Sequence, residues 1–137
     1  MFVSVLRAGN GLLAGLLRAA PEARVGFIGL QRDENTLRPQ QYYCKLPPNM
    51  AGCNVIVCDP MLATGYSAAA ALDIVAAEQP CTLKLMCLLA APEGIATVQA
   101  AHPGVPIYTA AIDRQLNERG YILPGLGDAG DRMFGTE

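Results

Sequence analysis

The chain has 137 residues, of which 52% are hydrophobic and 16% charged, so it is long enough and apolar enough to bury the core of one domain. Its formal net charge of −2 excludes a global attraction to nucleic acid or to anionic membranes, and any phosphate chemistry must therefore come from a local site. No apolar stretch is long enough to span a bilayer. We expect a single domain over residues 1–137 that binds small molecules.

Strand and helix signals alternate along most of the chain. Apolar runs rich in β-branched residues predict strands, and apolar runs with helical spacing predict helices. In chain order the predicted elements are a strand at 2–6, a helix at 12–20, a strand at 24–30, a strand at 53–59, a helix at 67–78, a strand at 82–90, a helix at 94–101 and a strand at 105–111. This order is typical of the α/β class, with a mostly parallel twisted sheet and helices on both faces.

Two segments depart from this alternation. Residues 31–52 are more polar, carry three prolines and include "QYYCK" as a candidate strand, which predicts a protruding loop or hairpin. The C-terminal segment 121–137 is rich in glycine and lacks helical periodicity, but its apolar residues predict that it packs back onto the domain. Because the chain begins at Met1 directly in a predicted central strand, we also expect that an N-terminal portion is missing.

The cysteines and the N-terminal residues indicate the cellular compartment in which the protein is expected. The five cysteines are odd in number, form no C-x-x-C pair and have no histidine set nearby that would suggest zinc. They predict reduced core residues of a cytoplasmic protein. Arg7 interrupts the first apolar run, and the uncharged residues before it are not typical of a secretory signal.

The stretch "DPMLATGYSA" at 59–68 joins a predicted strand to a predicted helix. In an open parallel sheet, ligands bind beyond the carboxyl ends of the strands, where backbone N–H groups and the helix dipole attract phosphate. The small residues Ala63, Thr64 and Gly65 would let a phosphate approach the backbone. The turn lacks the lysine of a Walker loop, so its residues alone fit a phosphate site and an ordinary loop equally well.

This stretch resembles the phosphoribosyl diphosphate motif of the phosphoribosyltransferases, and in the form "DPMLATG-x-SA" it is similar to that of the uracil phosphoribosyltransferase family. Four further segments resemble the same family in the same order: "VLRAGNG" (5–11), "APEGI" (91–95), "HPGVPIYTAAID" (102–113) and "LNERGYILPGLGDAGDR" (116–132). The resemblance covers essentially the whole chain and implies a phosphoribosyltransferase-like fold. Family members normally carry further residues before the position of Met1, so the resemblance implies that the N-terminal third is lacking.

The resemblance implies a reaction in which uracil and 5-phosphoribosyl 1-diphosphate give UMP and diphosphate, a step of pyrimidine salvage. It implies Mg²⁺ held mainly by the substrate's oxygens, a homo-oligomeric cytoplasmic enzyme, and GTP as an effector, as in some members. No nucleic acid or membrane partner is expected. The alternative is a catalytically impaired remnant that folds and binds a nucleotide or a partner subunit.

The family's functional positions match specific residues of this chain. Arg7, Asp59 and Asp128 are the predicted catalytic residues. The diphosphate substrate is expected to bind Arg7, Arg32, Asp59, Pro60, Met61, Leu62, Ala63, Thr64, Gly65, Tyr66, Ser67 and Asp128, and uracil is expected to bind Ile122, Gly127, Asp128 and Ala129. From the residues alone, Arg32 also fits a surface arginine, and Asp59 also fits a strand end or a helix cap.

Tyr66 departs from the family motif, which has glycine at this position. If the backbone φ angle of Tyr66 were positive, the side chain would add a strain of about 1–2 kcal/mol. We therefore expect reduced affinity for the diphosphate substrate. A ring that points into solvent would instead leave binding nearly normal.

Overall fold

The computed structural model describes residues 1–32 and 38–136, with the backbone alone at Arg32. Its strands and helices, in chain order, are β1 (Phe2–Leu6), α1 (Gly9–Ala19), β2 (Val25–Arg32), β3 (Pro39–Lys45), β4 (Asn54–Cys58), β5 (Met61–Leu62), α2 (Tyr66–Ala76), β6 (Thr82–Ala90), α3 (Pro92–Ala101), β7 (Ile107–Ile112), β8 (Gln115–Leu116), β9 (Ile122–Leu123) and α4 (Ala129–Phe134). All eight elements predicted from the alternation are present, and their ends differ from the prediction by at most three residues.

The main sheet has the order β3-β2-β1-β4-β6, and β5 and β7 both pair with β6. Every pair in it is parallel except β2 with β3, which confirms the predicted mostly parallel sheet. Ser4 of β1 lies opposite Cys58 of β4. The two strands therefore end at the same edge of the sheet, and the residues that follow them meet there.

Helices cover both faces of the sheet, as the sequence predicted. On one face, Leu13 of α1 packs in a cluster with Phe2 and Cys58. On the other face, α2 contributes Leu72 and Val75 to a larger core cluster that includes strand residues of β1, β4 and β6. Successive side chains of a strand point to opposite faces of the sheet. Strand β1 therefore contributes Phe2 to the first cluster and Val3 and Val5 to the second.

The polar segment forms the predicted hairpin, because β2 and β3 pair antiparallel and the side chains of β3 are almost all exposed. The C-terminal segment, whose sequence lacks helical periodicity, nevertheless includes a short helix. It contains α4, whose first turn is capped by the Asp128 side chain and whose last turn ends at Gly135 with φ +65°. A helix of six residues is defined by its caps and is too short to show an apolar period, so the pattern missed it.

All five cysteines are free, but only Cys58 and Cys87 are buried, while Cys44 and Cys81 are exposed. The expectation that all five belong to the core was therefore wrong for the exposed pair. Burial, together with a smaller contribution from the charge of nearby Asp59, raises the pKa of the Cys58 thiol to about 12, so this thiol is unreactive. Within residues 1–32 and 38–136, no helix has the length and apolar character needed to cross a bilayer.

Candidate active site at the carboxyl edge of the sheet

Two adjacent clefts open at the carboxyl ends of β1 and β4. The larger has a volume of about 430 Å³ and is lined by Ala8, Asp59, Met61, Ala63, Arg119, Gly120, Tyr121, Ile122, Gly127, Asp128, Ala129 and Gly130. The smaller has a volume of about 180 Å³ and is lined by Val5, Leu6, Arg7, Ala8, Asp59, Asp128 and Gly130. Asp59 and Asp128 line both clefts. A volume of several hundred Å³ is that of a small-molecule site.

Asp59 follows β4 directly and lies at the junction of the two clefts. Its backbone N–H donates to the carbonyl of Met86 at 3.1 Å, and its Oδ1 accepts from the N–H of Met61 at 3.4 Å. The pKa of this carboxyl is raised to about 6, mainly by burial and to a smaller extent by the charge of Asp128, while the Met61 hydrogen bond opposes the shift. Asp128 is therefore close enough for its negative charge to favour the protonated form of Asp59.

The turn after Asp59 is held in place by its neighbours. The carbonyl of Pro60 accepts from the N–H groups of Leu88 and Leu89 at 2.9 Å each, and Leu62 is buried in the core. Pro60 and Leu62 therefore support the turn, while Met61 and Ala63 line the larger cleft.

Helix α3 packs against the next part of this turn. A Cβ on Gly94 would meet the carbonyl oxygens of Ala63 and Leu62, and a Cβ on Gly65 would meet the carbonyl oxygen of Gly94 at 2.6 Å. Gly65 has a φ of +85°, so a residue with a side chain would be strained there as well as crowded. This glycine is the N-cap of α2, which has no side-chain cap hydrogen bond.

Tyr66 does not carry the strain considered from the sequence. It is the first residue of α2, and the positive φ of this turn belongs to Gly65. The residue is 47% exposed, and the guanidinium carbon of Arg38 lies 5.7 Å from the centroid of its ring. Thr64, Gly65, Tyr66 and Ser67 do not line either cleft. The ring is thus about half exposed, and the effect of Tyr66 on substrate binding stays a prediction.

All four predicted uracil residues, Ile122, Gly127, Asp128 and Ala129, line the larger cleft. Ile122 and Ala129 are buried, whereas Asp128 is exposed and accepts from the N–H of Asp131 at 2.9 Å. The positive φ angle of Gly127, +76°, shows why this position suits glycine.

The loop that carries these residues is anchored through Gly125. Its N–H donates to Asp113 Oδ2 at 2.8 Å, and a Cβ on it would meet the carbonyl of Ile122. The hydrogen bond to Asp113, a residue that lines neither cleft, therefore holds the loop in place.

Arg7 follows β1 and lines the smaller cleft with both acids. Its Nη2 lies 2.9 Å from Asp131 Oδ1, and its Nη1 donates to Thr136 Oγ1 at 3.2 Å. The Phe134 ring centroid lies 6.0 Å from its guanidinium carbon. The structure thus pairs this cation with the C-terminal helix, a contact that the sequence did not predict.

The other predicted arginine, Arg32, ends β2, and its side chain lies outside the described residues. Sequence reasoning missed five lining residues of the larger cleft: Ala8, Arg119, Gly120, Tyr121 and Gly130. All of them lie within segments quoted for the family resemblance, so adjacency to the assigned residues was the available signal. Asn117 shapes the turn before the cleft, since its Oδ1 accepts from the N–H groups of Arg119 and Tyr121 at 2.9 Å each.

These clefts combine positive charge, hydrogen-bond acceptors and apolar surface, a combination that suits a polar, anionic small molecule. Arg7 and Arg119 supply positive charge, the two aspartates supply acceptors, and Ile122 and Ala129 supply apolar contact. Among the described residues, no group of three or more histidine, cysteine or acidic side chains is placed to hold a metal ion. A metal here would need most of its ligands from the substrate.

Comparison with known proteins agrees with this arrangement. The family model for uracil phosphoribosyltransferase matches residues 1–136. Proteins named uracil phosphoribosyltransferase from Acidovorax sp. (strain JS42) and from Legionella pneumophila (strain Lens) are 64% and 61% identical to the chain over all 137 residues. The chain spans 66% and 64% of the lengths of these two relatives.

Solved structures show the same fold. The AQ2163 protein from Aquifex aeolicus is 43% identical, with a TM-score of 0.93 over 97% of this chain and 64% of that one. A hypoxanthine phosphoribosyltransferase from Trypanosoma cruzi is 19% identical, with a TM-score of 0.65 over 85% of this chain and 62% of that one. At that identity the second likeness concerns the fold alone.

Proposed function

The chain belongs to the uracil phosphoribosyltransferase family, and from this premise we propose that it transfers a phosphoribosyl group from phosphoribosyl diphosphate to uracil, giving UMP and diphosphate in pyrimidine salvage. The observation that carries the proposal is the larger cleft. It joins Asp59 and the turn after β4 to all four residues of the expected uracil loop. A site for the sugar and a site for the base thus share one space.

In the proposed reaction, uracil N1 forms a bond to C1 of the ribose while the C1–oxygen bond to diphosphate breaks, and the N1 proton leaves to diphosphate or water. Positive charge develops on the ribose ring and negative charge on the leaving group, so acceptors are needed at the sugar and cations at the diphosphate. Asp59 accepts hydrogen bonds from the ribose hydroxyls. Arg7 binds diphosphate oxygens through its fork of donors.

Backbone groups of the loop from Ile122 to Ala129 recognise uracil. The base presents one N–H donor flanked by two carbonyl acceptors, a pattern that complementary backbone groups can read at close range. The loop is suited to this role because its position is set by the Gly125 and Asp113 hydrogen bond at 2.8 Å. Apolar contact with the base comes from Ile122, which is 4% exposed.

We propose that Mg²⁺ takes part and is held mainly by diphosphate oxygens and water, as is usual for this ion. Asp128, exposed in both clefts, is the carboxylate that would reach it. The ion would neutralise the leaving group. The side chains fit this role because Asp59 and Asp128 line both clefts and can supply carboxylate oxygens, the ligand type that Mg²⁺ prefers.

The test is the conversion of labelled uracil to UMP by the purified chain with phosphoribosyl diphosphate and Mg²⁺. Hypoxanthine in place of uracil is the matched control for the base. We expect UMP to form only with uracil and the diphosphate together, and Asp128→Asn to lose most of the rate. Binding of UMP and diphosphate without turnover would favour the impaired remnant, and turnover of hypoxanthine instead would refute the uracil assignment.

We further propose a homo-oligomer. β7 lies at the edge of the sheet, where Tyr108 and Ile112 are exposed, and apolar side chains at an unpaired edge favour association. A monomer at micromolar concentration in a size measurement would contradict this. The GTP effector and the cytoplasmic location stay predictions from the resemblance.

A further inference from the structure

The C-terminal helix α4 places a carboxylate directly on the arginine that follows β1. Asp131 Oδ1 lies 2.9 Å from Arg7 Nη2 and also accepts from Thr136 Oγ1 at 2.6 Å. The Thr136 hydroxyl in turn accepts from Arg7 Nη1 at 3.2 Å. Two side chains from the far end of the chain thus hold two terminal nitrogens of one guanidinium.

We propose that Asp131 is a positioning residue for the reaction, which holds the Arg7 guanidinium at the smaller cleft so that it meets the diphosphate of the substrate already oriented. This inference rests on the proposed function. Arg7 lines that cleft together with Asp59 and Asp128, whereas Asp131 lines neither cleft. Asp131 therefore acts through Arg7 and does not touch the substrate.

Two features of the guanidinium support this role. Arginine has five N–H donors in a rigid fork, and the contacts with Asp131 and Thr136 leave further donors for an anion. The Arg7 side chain is 52% exposed, so without these contacts it would sample many rotamers in solvent. An arginine that is already ordered avoids the entropy cost of being immobilised when the ligand binds.

Helix α4 lies close beside the Arg7 guanidinium. A Cβ on Gly130 would stand 3.6 Å from Arg7 Nη2, which is an ordinary van der Waals distance, and 3.2 Å from Asp128 Oδ1. The N–H of Asp131 donates to Asp128 Oδ1 at 2.9 Å, which ties the positioning residue to an acid of the cleft. Hydrogen bonds from Thr136 and Arg7 lower the pKa of the Asp131 carboxyl, so it stays ionised.

The experiment is a calorimetric titration of the full chain with inorganic diphosphate and Mg²⁺, using Asp131→Ala and Asp131→Asn. We expect Asp131→Ala to weaken diphosphate binding about fivefold, or about 1 kcal/mol at 1.4 kcal/mol per tenfold. Asp131→Asn, which keeps an oxygen that accepts from Arg7, should bind within about twofold of wild type. Glu22→Ala, which removes an exposed charge from the turn after α1, is the matched control and should change nothing.

A double-mutant cycle separates positioning from a general effect on the fold. In the Arg7→Met background, Asp131→Ala should have no further effect on diphosphate binding, because the side chain that it positions is gone. In the uracil assay, Asp131→Ala should raise the KM for phosphoribosyl diphosphate and leave kcat nearly unchanged. Equal melting temperatures would show that the variants fold alike, and Asp131→Asn supplies the comparison if Asp131→Ala is unstable.

The outcomes distinguish this inference from the proposed function. Failure of the wild-type chain to bind diphosphate would refute the proposed function and this inference with it. Normal binding by wild type and by Asp131→Ala would refute the inference alone. Tighter binding by both Asp131 variants would also overturn it, since the carboxylate would then be a competitor of the diphosphate. An equal loss in the Arg7→Met background would assign Asp131 to the fold.

Discussion

Replacing Asp59 with asparagine should stabilise the fold while it impairs the proposed reaction. Burial raises the pKa of the Asp59 carboxyl to about 6 from a usual value of 3.8, with a smaller contribution from the charge of Asp128. The charged form is therefore less stable in the folded chain than in the unfolded one. Asparagine has the same shape, carries no charge and can still accept from the N–H of Met61.

The size of the effect follows from the shift. A shift of about two pKa units corresponds to about 3 kcal/mol at 1.36 kcal/mol per unit. Because the carboxyl is only partly buried and solvent screens part of this cost, we expect Asp59→Asn to gain about 1–2 kcal/mol at pH 7. For a chain of this length the melting temperature should rise by about 4–8 °C.

The pH dependence of stability independently checks whether Asp59→Asn stabilises or destabilises the fold. Because the folded-state pKa lies above the unfolded one, the folded chain binds more protons between about pH 4 and 6, and the stability of wild type falls as the pH rises through this window. Above pH 6 the cost of the charge is fully present. The advantage of Asp59→Asn should therefore be largest at pH 7 and shrink toward zero near pH 4.

Thermal unfolding of wild type, Asp59→Asn and Glu118→Gln at pH 7 and pH 4.5 measures both the size of the stability gain and its dependence on pH. Glu118 is exposed, so its variant controls for the loss of one negative charge. A melting temperature of Asp59→Asn at or below wild type at pH 7, or a gain that does not change with pH, would refute the reasoning. The same variant should lose at least about a hundredfold in uracil conversion, since the amide is a weaker acceptor for ribose hydroxyls than a carboxylate.

Three further results are expected. Tyr66→Gly should leave the affinity for diphosphate within about twofold of wild type, and a large gain in affinity would contradict this. The same change should lower the melting temperature by a few degrees, because it removes a helical side chain and its contact with Arg38. Gly94→Ala should cost about 1–3 kcal/mol of stability and weaken substrate binding, because its Cβ would meet the backbone of the turn after Asp59. Gly104→Ala is the control, since a Cβ there would meet nothing within 4 Å. Removal of Mg²⁺ with a chelator should abolish turnover without changing the melting temperature of the substrate-free chain. A drop in melting temperature on adding the chelator would instead reveal a bound structural ion.

The sequence by itself determined the alternation of strands and helices, the parallel sheet and the identity of the turn after β4. These follow from local apolar periodicity and from short motifs whose residues are contiguous, such as the stretch from Asp59 to Ser67. The carboxyl edge as the place of the site also follows, because parallel strands end together. Four of the assigned residues, Ile122, Gly127, Asp128 and Ala129, do line one cleft with Asp59.

Only the tertiary structure decided which side chains meet across the chain. The pair of Arg7 and Asp131 joins residues 124 positions apart, and no local pattern specifies such a contact. The positive φ of the turn falls on Gly65 and not on Tyr66, because α2 begins one residue earlier than the pattern predicted. The raised pKa of Asp59 depends on burial by neighbouring elements, which is a property of packing and not of the residues on either side of it.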